Sequence, residues 1–495
     1  MGLGDRKLTR RDSLRIGAGI ALAPIMGIPW VPATLAVSAG TDLAPLEQSI
    51  QGRLLKPGAA AYGPLRTSWN GRWSSTPLGI VQARSAQDVA IAVVFARQRG
   101  IQVTARSGGH SFVGASLCNG LVIDLSAMNA IVCDPARELV RVGGGARIGA
   151  VRSALYHEGE GQTMTTGSCD SVGISGLTLG GGFDTMSRVH GLTIDAAESA
   201  RVVLADGSIA RADDATNPEL FWALRGGGGG FGIVVEWTFR TRPWASYHGV
   251  RQVWNWESAP EAFAIWSEWI ATLPRQAASS SIWQSAGSSR SRQFRTIIRS
   301  ELGAAECEAL AGDLKRRIGP EAITATRAWD RNPPPVRPAA TIGGPPSANG
   351  SAVGSGAIDL AASQAIKDAC DARINNPDLP SGDTGMVLSN SFDGKVSAID
   401  FDATAFPHRN ARFLSEFVSD WPGQSAGGRA RANQAWVRDL RTRVRASYGL
   451  GCYANYPDPD LEEWREAYWG GNLPRLTRIK TAYDPGGFWR GGHVI

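Results

Sequence analysis

The chain is 495 residues long, more than a single hydrophobic core usually organises, so two domains or one domain with a large insertion are expected. Hydrophobic residues make up 43% and charged residues 19%, which excludes a disordered or fibrous chain. The net charge of +6 does not point to nucleic acid, because Arg6, Lys7, Arg10, Arg11 and Arg15, set against Asp5 and Asp12, place half of that excess at the very start of the chain.

That opening segment, TRRDSLRIGAGIALAPIMGIPWVPATLAVSAG, couples an arginine pair to a moderately apolar stretch broken by Pro24 and Pro29 and ending in small residues. It resembles a twin-arginine export leader over residues 1–39 rather than an amphipathic first helix, and it is too short and too proline-broken for a stable membrane span. The export machinery of that route carries folded, cofactor-loaded proteins. A secreted, periplasmic or cell-envelope redox enzyme is therefore expected. Cys118, Cys133, Cys169, Cys307, Cys370 and Cys452 are too few and too scattered for a disulfide framework or a metal site, which leaves room for one of them to have a chemical task.

From Pro77 onward, strands and helices alternate quickly. LGIVQA, IQVTARS and GLVIDLS read as short strands around a helix SAQDVAIAVVFARQRG, whose Val89, Val93 and Ala96 have helical spacing. IVCDPARELVRVGGG reads as a hairpin turning near Asp134 and Pro135, IGAVRSALYHEG as a helix, and SARVVLADGSIARA as a hairpin with Asp206 and Gly207 in its turn. A helix NPELFWALRGG then leads into the strand GIVVEWTFR.

After about Pro243 the pattern becomes that of an antiparallel sheet with one covered face, with strand candidates HGVRQVWNW, SIWQSAG, RQFRTIIRS, TGMVLSNSF, GKVSAIDF and FLSEFVSDW. PEAFAIWSEWIATLP and RANQAWVRDLRTRVRASYG are amphipathic helices, and the Pro/Gly/Ser-rich stretch 332–356 reads as a long surface loop. Trp254, Trp256, Trp266, Trp269 and Trp283 are either core or sugar-stacking faces.

Three glycine-rich stretches carry the chemistry: GGGARIG, GISGLTLGGGF and RGGGGGFG. The last contains a GxGxxG pattern from Gly227 to Gly232, but a helix precedes it and a strand follows, the reverse of a dinucleotide-fold fingerprint. Backbone without side chains can approach a large planar or phosphorylated ligand and offer it N–H donors.

ARSGGHSFVGASLCNGLVIDLSAMNAI, GSCDSVGISGLTLGGGFDTMSRVHGL, ELFWALRGGGGGFGIVVEWTF, ATAFPHR and YANYPDPDLEEWREAYWGGNLPRLTRIKTAYDPGGFW, in that order, resemble the berberine bridge enzyme-like family, flavoproteins with the FAD-binding domain of the vanillyl-alcohol oxidase superfamily. The resemblance implies an α+β fold. A two-part FAD-binding domain, residues 40–244 and 446–495, would hold an inserted α+β substrate domain, residues 245–445, built on an antiparallel sheet. It further implies FAD bound covalently through His110 and Cys169, a phosphate cradle of Arg106, Ser107, Gly108, Gly109 and Ser111, and a second flavin loop of Gly167, Ser168, Gly173 and Gly176. Val172 is expected to leave room for dioxygen, which favours an oxidase, and Asn472 to contact the flavin from the returning segment. Asp184 and Ala196 depart from the family pattern and put local loop shape in doubt.

Oxidising a C–OH group needs a group within hydrogen-bond reach that removes the hydroxyl proton as hydride leaves. The resemblance implies a carboxylate or a tyrosine for this task, and the candidates are Glu416, Tyr453 and Tyr456, with Tyr453 preferred on the assumption that YANY is a strand. His408 and Arg409 are expected to be structural. The leading expectation is an FAD-dependent oxidase that takes hydride from an alcohol or hemiacetal carbon of a small-molecule substrate, an oligosaccharide or a secondary metabolite, and delivers electrons to dioxygen as hydrogen peroxide. A natural-product tailoring oxidase and a non-catalytic binding protein are the alternatives.

Overall fold

Three large sheets follow one another along the chain, and a two-stranded ribbon pairs Gln162–Thr163 with Arg242–Pro243. The computed structural model describes residues 41–286, 291–331, 344–379, 382–423, 427–491 and 494–495, so the expected leader lies outside the described residues. In the first sheet Gly79–Gln82, Leu121–Asp124 and Val103–Arg106 run parallel, and Arg53–Leu55 adds an antiparallel edge. Helix Ala86–Gln98 closes its face, capped by Ser85, whose hydroxyl accepts the Asp88 amide. Its Val89, Val93 and Ala96 are fully buried, as their spacing predicts.

The second sheet is antiparallel, in the order Ile131–Asp134, Leu139–Gly143, Ile233–Arg240, Ala197–Val203, Ile209–Ala212. Both expected hairpins are present. Helices Ile148–His157 and Pro218–Leu224 pack on this sheet, and the C-terminal helix Leu473–Tyr483 returns to the same core through Leu476 and Ile479.

The third sheet has seven antiparallel strands, in the order Ile323–Arg331, Tyr247–Trp254, Ser291–Ser300, Ala277–Ala286, Thr384–Ser391, Phe413–Asp420, Ser347–Gly354. Helices Ala259–Trp269, Ala304–Ile318, Leu360–Ile374 and Gly428–Tyr448 cover one face and enclose the largest core. Trp254, Trp266, Trp269 and Trp283 lie in that core at 2% exposure or less, and Trp256 packs against it, so these rings are packing groups and not sugar platforms.

Two expected elements differ. Within the stretch read as a loop, Ser347–Gly354 is a strand with every residue buried. Small side chains make this possible, since a Cβ on Gly350 would come within 3.1 Å of Val437 on the covering helix. The expected strand GKVSAIDF is instead a series of turns, because Gly394 at φ +71° and the Lys395 amide, bonded to the Arg188 carbonyl at 2.7 Å, direct this backbone onto the Ser187–His190 helix.

The described residues form one compact unit, and Arg188 is a principal clamp within it. Its guanidinium, almost fully buried, donates to the carbonyls of Leu273 at 2.8 Å, Pro274 at 2.7 Å and Ala277 at 2.7 Å, and to Asp393 Oδ1 at 2.7 Å. Arg188→Met leaves these acceptors unpaired inside the protein, and a loss of about 3–5 kcal/mol is expected in denaturant unfolding. An unchanged unfolding midpoint would remove the clamp from this account.

Candidate active site

The strand Val103–Arg106 ends in the loop 107–111, and the parallel register puts that end beside Asp124. Here two loops meet backbone to backbone. A Cβ on Gly108 would lie 2.2 Å from the Gly173 amide nitrogen, and one on Gly173 would lie 2.2 Å from Ser107 Oγ. Ser107 and Ser175 fasten the seam by donating to the same Gly144 carbonyl at 2.7 and 2.9 Å. Gly109, at φ +70°, lies against the Arg106 guanidinium, which a Cβ there would strike at 2.2 Å.

This seam brings the two expected tethers together. Ser171 Oγ is 2.8 Å from His110 Nε2 and 3.6 Å from Cys169 Sγ. The Cys169 thiol is exposed. Burial, then the charges of Arg147 and Arg106, hold the His110 imidazole down at about 4, so it is neutral at physiological pH. Trp69 stacks on it, with ring centroids 5.1 Å apart and an interplanar angle of 18°.

Arg106 is 1% exposed, and both terminal nitrogens of its guanidinium lack a partner. Burial lowers its pKa, and Asp124, the carboxylate it feels, is itself raised by burial and has an unpartnered Oδ1. A buried cation without hydrogen-bond acceptors is costly, and an anion held by the neighbouring glycine backbone would satisfy it. Arg106, the Gly108 and Gly109 turn and the half-buried Arg147 therefore fit the phosphates of a dinucleotide. Gly176, on helix Ile174–Leu179, has no atom within 4 Å of its Cβ position and leaves open surface beside this cradle.

The other expected flavin-loop residues occupy more local roles. Ser111 Oγ accepts the Ala115 amide at 3.0 Å, the Gly167 carbonyl accepts Arg152 at 3.3 Å, and Ser168 is exposed. Val172 is half-buried against the second core, and its amide donates to the Cys169 carbonyl at 3.1 Å. Asn472 uses its amide on the carbonyls of Phe401, Thr404 and Ala405, each at 3.3 Å, and bonds neither cluster.

A second cluster lies on the face of the seven-stranded sheet opposite the four helices, where Val353 and Leu414 pack against Phe183, Phe392, Phe406 and Tyr453. Glu416 Oε1 accepts the Asn349 amide at 2.7 Å, and Tyr456 is a further hydrogen-bond neighbour. Burial raises Glu416 to about 7, against the opposing effect of those two bonds. The segment YANY is a turn and not a strand, closed by the Tyr456 amide on the Tyr453 carbonyl at 2.9 Å, so strand alternation does not separate its two tyrosines. Their rings meet edge to face at 5.0 Å. Tyr453 Oη accepts the amides of Gly182 at 2.9 Å and Phe183 at 3.1 Å and the Asn455 side chain at 3.0 Å, while burial pushes its pKa up to about 12. Tyr456 is raised well above the usual tyrosine range, by burial and then by Glu416.

Aromatic contacts join the two clusters. Trp69 meets Phe112 at 6.0 Å, and Phe112 meets Tyr456 at 6.4 Å, so a file of rings runs from His110 to the Glu416 pair. Trp69, Phe112, Ser171 and Asn349 were not singled out in the sequence; only their neighbourhood to RSGGHS and GSCDSVG could have suggested Phe112 and Ser171. His408, bonded to the Cys452 carbonyl at 2.7 Å, and the fully buried Arg409, paired with Asp195 at 2.7 Å, are structural.

Comparison with known proteins agrees with this geometry. A family model for an FAD binding domain matches residues 77–213, and one described as berberine and berberine-like matches residues 452–495. The uncharacterized FAD-linked oxidoreductase YgaK of Bacillus subtilis is 30% identical, over 89% of this chain and 96% of its own. The glucooligosaccharide oxidase of Sarocladium strictum is 27% identical, over 94% of this chain and 96% of its own. Among solved structures, glucooligosaccharide oxidase from Acremonium strictum, described with a 6-S-cysteinyl, 8α-N1-histidyl FAD, superposes with a TM-score of 0.80 at 24% identity, covering 90% of this chain and 98% of that one. At that identity the likeness establishes the shared fold.

If Arg106 is the phosphate anchor, Arg106→Met should purify folded but with most of its flavin missing, seen as the ratio of visible to ultraviolet absorbance. Full flavin content in this variant would remove that role.

Proposed function

The chain belongs to the berberine bridge enzyme-like FAD-linked oxidoreductases, and from that premise we propose an oxidase with doubly tethered FAD that oxidises an alcohol carbon of an oligosaccharide to a carbonyl, or its hemiacetal carbon to a lactone, with dioxygen reduced to hydrogen peroxide. One observation carries this reading: a buried carboxylate poised near neutrality, Glu416, is joined by a continuous file of rings to a histidine and a cysteine that share one serine.

When bound, the flavin supplies the hydride acceptor. The chain's own residues manage the proton. Glu416, ionised near neutral pH, takes the substrate hydroxyl proton, while Tyr456, which stays protonated, donates its one O–H to Glu416 and fixes the direction of that carboxylate. Asn349 holds the carboxylate by its other side. Tyr453, preferred from the sequence, has its oxygen surrounded by three N–H donors and serves better to shape the 181–183 turn than to accept a proton at about 12.

His110, kept neutral, has one ring nitrogen engaged by Ser171, and its other ring nitrogen and the exposed Cys169 thiol would be the two groups that hold the flavin covalently. Val172, held to the Cys169 carbonyl through its amide, is the side chain this reading sets beside the dioxygen approach. A permanent tether also suits export by the twin-arginine route, since a secreted enzyme cannot easily regain a lost cofactor.

Acid-precipitated protein should stay yellow, and intact mass should exceed the polypeptide mass by one FAD. His110→Ala and Cys169→Ala should each retain one bond, and only the double variant should release free flavin; a colourless pellet from the unaltered protein would end the tether proposal.

Glu416→Gln is expected to slow flavin reduction by about two orders of magnitude. Because the raised pKa keeps Glu416 protonated below about 7, the stopped-flow reduction rate should climb as pH rises toward that value and level above it. A flat profile from acid to neutral pH would assign the proton to another group.

A further inference from the structure

The sheet face that carries Glu416 also carries an unbalanced group of arginines. Phe294, Ile298, Val250 and Trp254 point into the helix-covered core, so the alternating residues Arg295, Arg299 and Arg251 point to the opposite side. Register places Glu416 on that side too. It pairs with Leu388, Leu388 with Ile282, and Ile282 with Arg295, which puts Arg295 in the same cross-strand row. Three strand spacings separate the two, roughly 14 Å.

Arg251 lies directly opposite Arg327 and diagonal to both Arg295 and Arg299, which pair with Val253 and Gly249. Like charges facing each other weaken a sheet unless something offsets them. The partners here are neutral: Arg295 donates to Gln284 at 2.8 Å and Gln293 at 2.6 Å, and Arg299 donates to Ser280 at 3.0 Å and is bonded by Tyr247. Among the described residues, the ion pairs of these strands lie on the helix side, where Arg292 meets Asp371 and His248 meets Asp330. Asp184 is the carboxylate whose charge reaches Arg299, and it contacts none of the other three in a bond or ion pair among the described residues. In sequence, the segments that follow two of these strands, 287–290 and 332–343, contain no Asp or Glu. An aromatic plane adjoins the charges, since Trp329 covers Gly249 so closely that a Cβ there would be 2.4 Å from the indole.

We infer that this face binds the anionic part of the substrate, and that the substrate is an acidic oligosaccharide whose uronic-acid carboxylates lie along Arg295, Arg251 and Arg327 while its oxidised end reaches Glu416. Planar guanidinium forks match carboxylates in pairs, and an indole face beside them suits the apolar face of a sugar ring. The spacing from Arg295 to Glu416 requires a chain of sugars and not a monosaccharide. This inference rests on the oxidase reading for the reaction at Glu416, but the binding it describes does not depend on turnover.

The test uses the flavin-loaded enzyme, titrated calorimetrically with oligogalacturonides and with neutral cello- and xylo-oligosaccharides of equal length, alongside anaerobic flavin bleaching by the same sugars. The acidic chains should bind more tightly than the neutral ones and lose that advantage as salt is raised. In Arg251→Gln and in Arg327→Gln, the latter exposed and so the safer variant for folding, the ratio of acidic to neutral affinity should fall about tenfold. Acidic chains that bind no more tightly than neutral ones, or a ratio unchanged in both variants, overturn the inference even if neutral sugars bleach the flavin and the oxidase reading stands. Arginine-dependent binding of acidic chains with no bleaching by any sugar supports the anion site and instead removes the oxidase reading.

Discussion

Two loops touch without side chains between them, and the placement of the reactive groups depends on that contact. Gly108 and Gly173 approach so closely that any Cβ would have to displace backbone, and the serines on either side share one carbonyl, that of Gly144. Residues two to four positions from the seam are thereby fixed relative to each other: His110 on one loop, Ser171 and Cys169 on the other. The same closeness strips Arg106 of solvent and of acceptors. A cradle shaped this way is complete in charge only when an anion occupies it, which couples cofactor retention to the integrity of the loops.

The seven-stranded sheet obeys the opposite rule on its two faces. One is packed by large rings and closed by four helices, so its geometry is rigid. The other carries Glu416, Asn349 and the arginines, groups that a hydrophobic core could not accommodate without partners. Its edge strand, Ser347–Gly354, consists of small residues throughout, which lets helix Gly428–Tyr448 press close from behind while Asn349 projects forward to Glu416. Rigidity on the helix side is what lets a few polar groups on the opposite side hold fixed spacings.

Much of the framework was legible because it rests on local rules. Hairpins with Asp134–Pro135 and Asp206–Gly207 turns, and the helix marked by Val89, Val93 and Ala96, follow from periodicity and turn chemistry alone. The glycine motifs were legible as a place where backbone approaches something, but not as a contact between two loops. Residues 347–354 failed because Ser, Ala and Gly look like a loop until the partner helix that needs their small size is known. YANY failed because apolar-polar alternation cannot distinguish a strand from a turn held by tertiary bonds. Trp69 and Asn349 join the site through contacts with partners distant in sequence, and nothing local marks them.

Charge is distributed so that binding and proton transfer do not interfere. Glu416 stays near neutrality because burial outweighs the two hydrogen bonds that would ionise it. A guanidinium beside it would reverse that balance, since an opposite charge at contact lowers a carboxyl strongly. At roughly 14 Å and an effective dielectric of about 20, a single arginine instead contributes about 1 kcal/mol, less once salt screens it over a Debye length of about 8 Å. No arginine figures among the groups that shift Glu416, whereas Arg251 acts on Arg295 at close range. Leu388 and Ile282, interposed in the same row, supply that separation. The sheet thus holds a cationic binding face and a proton acceptor on one surface, far enough apart for each to keep the charge state its task requires.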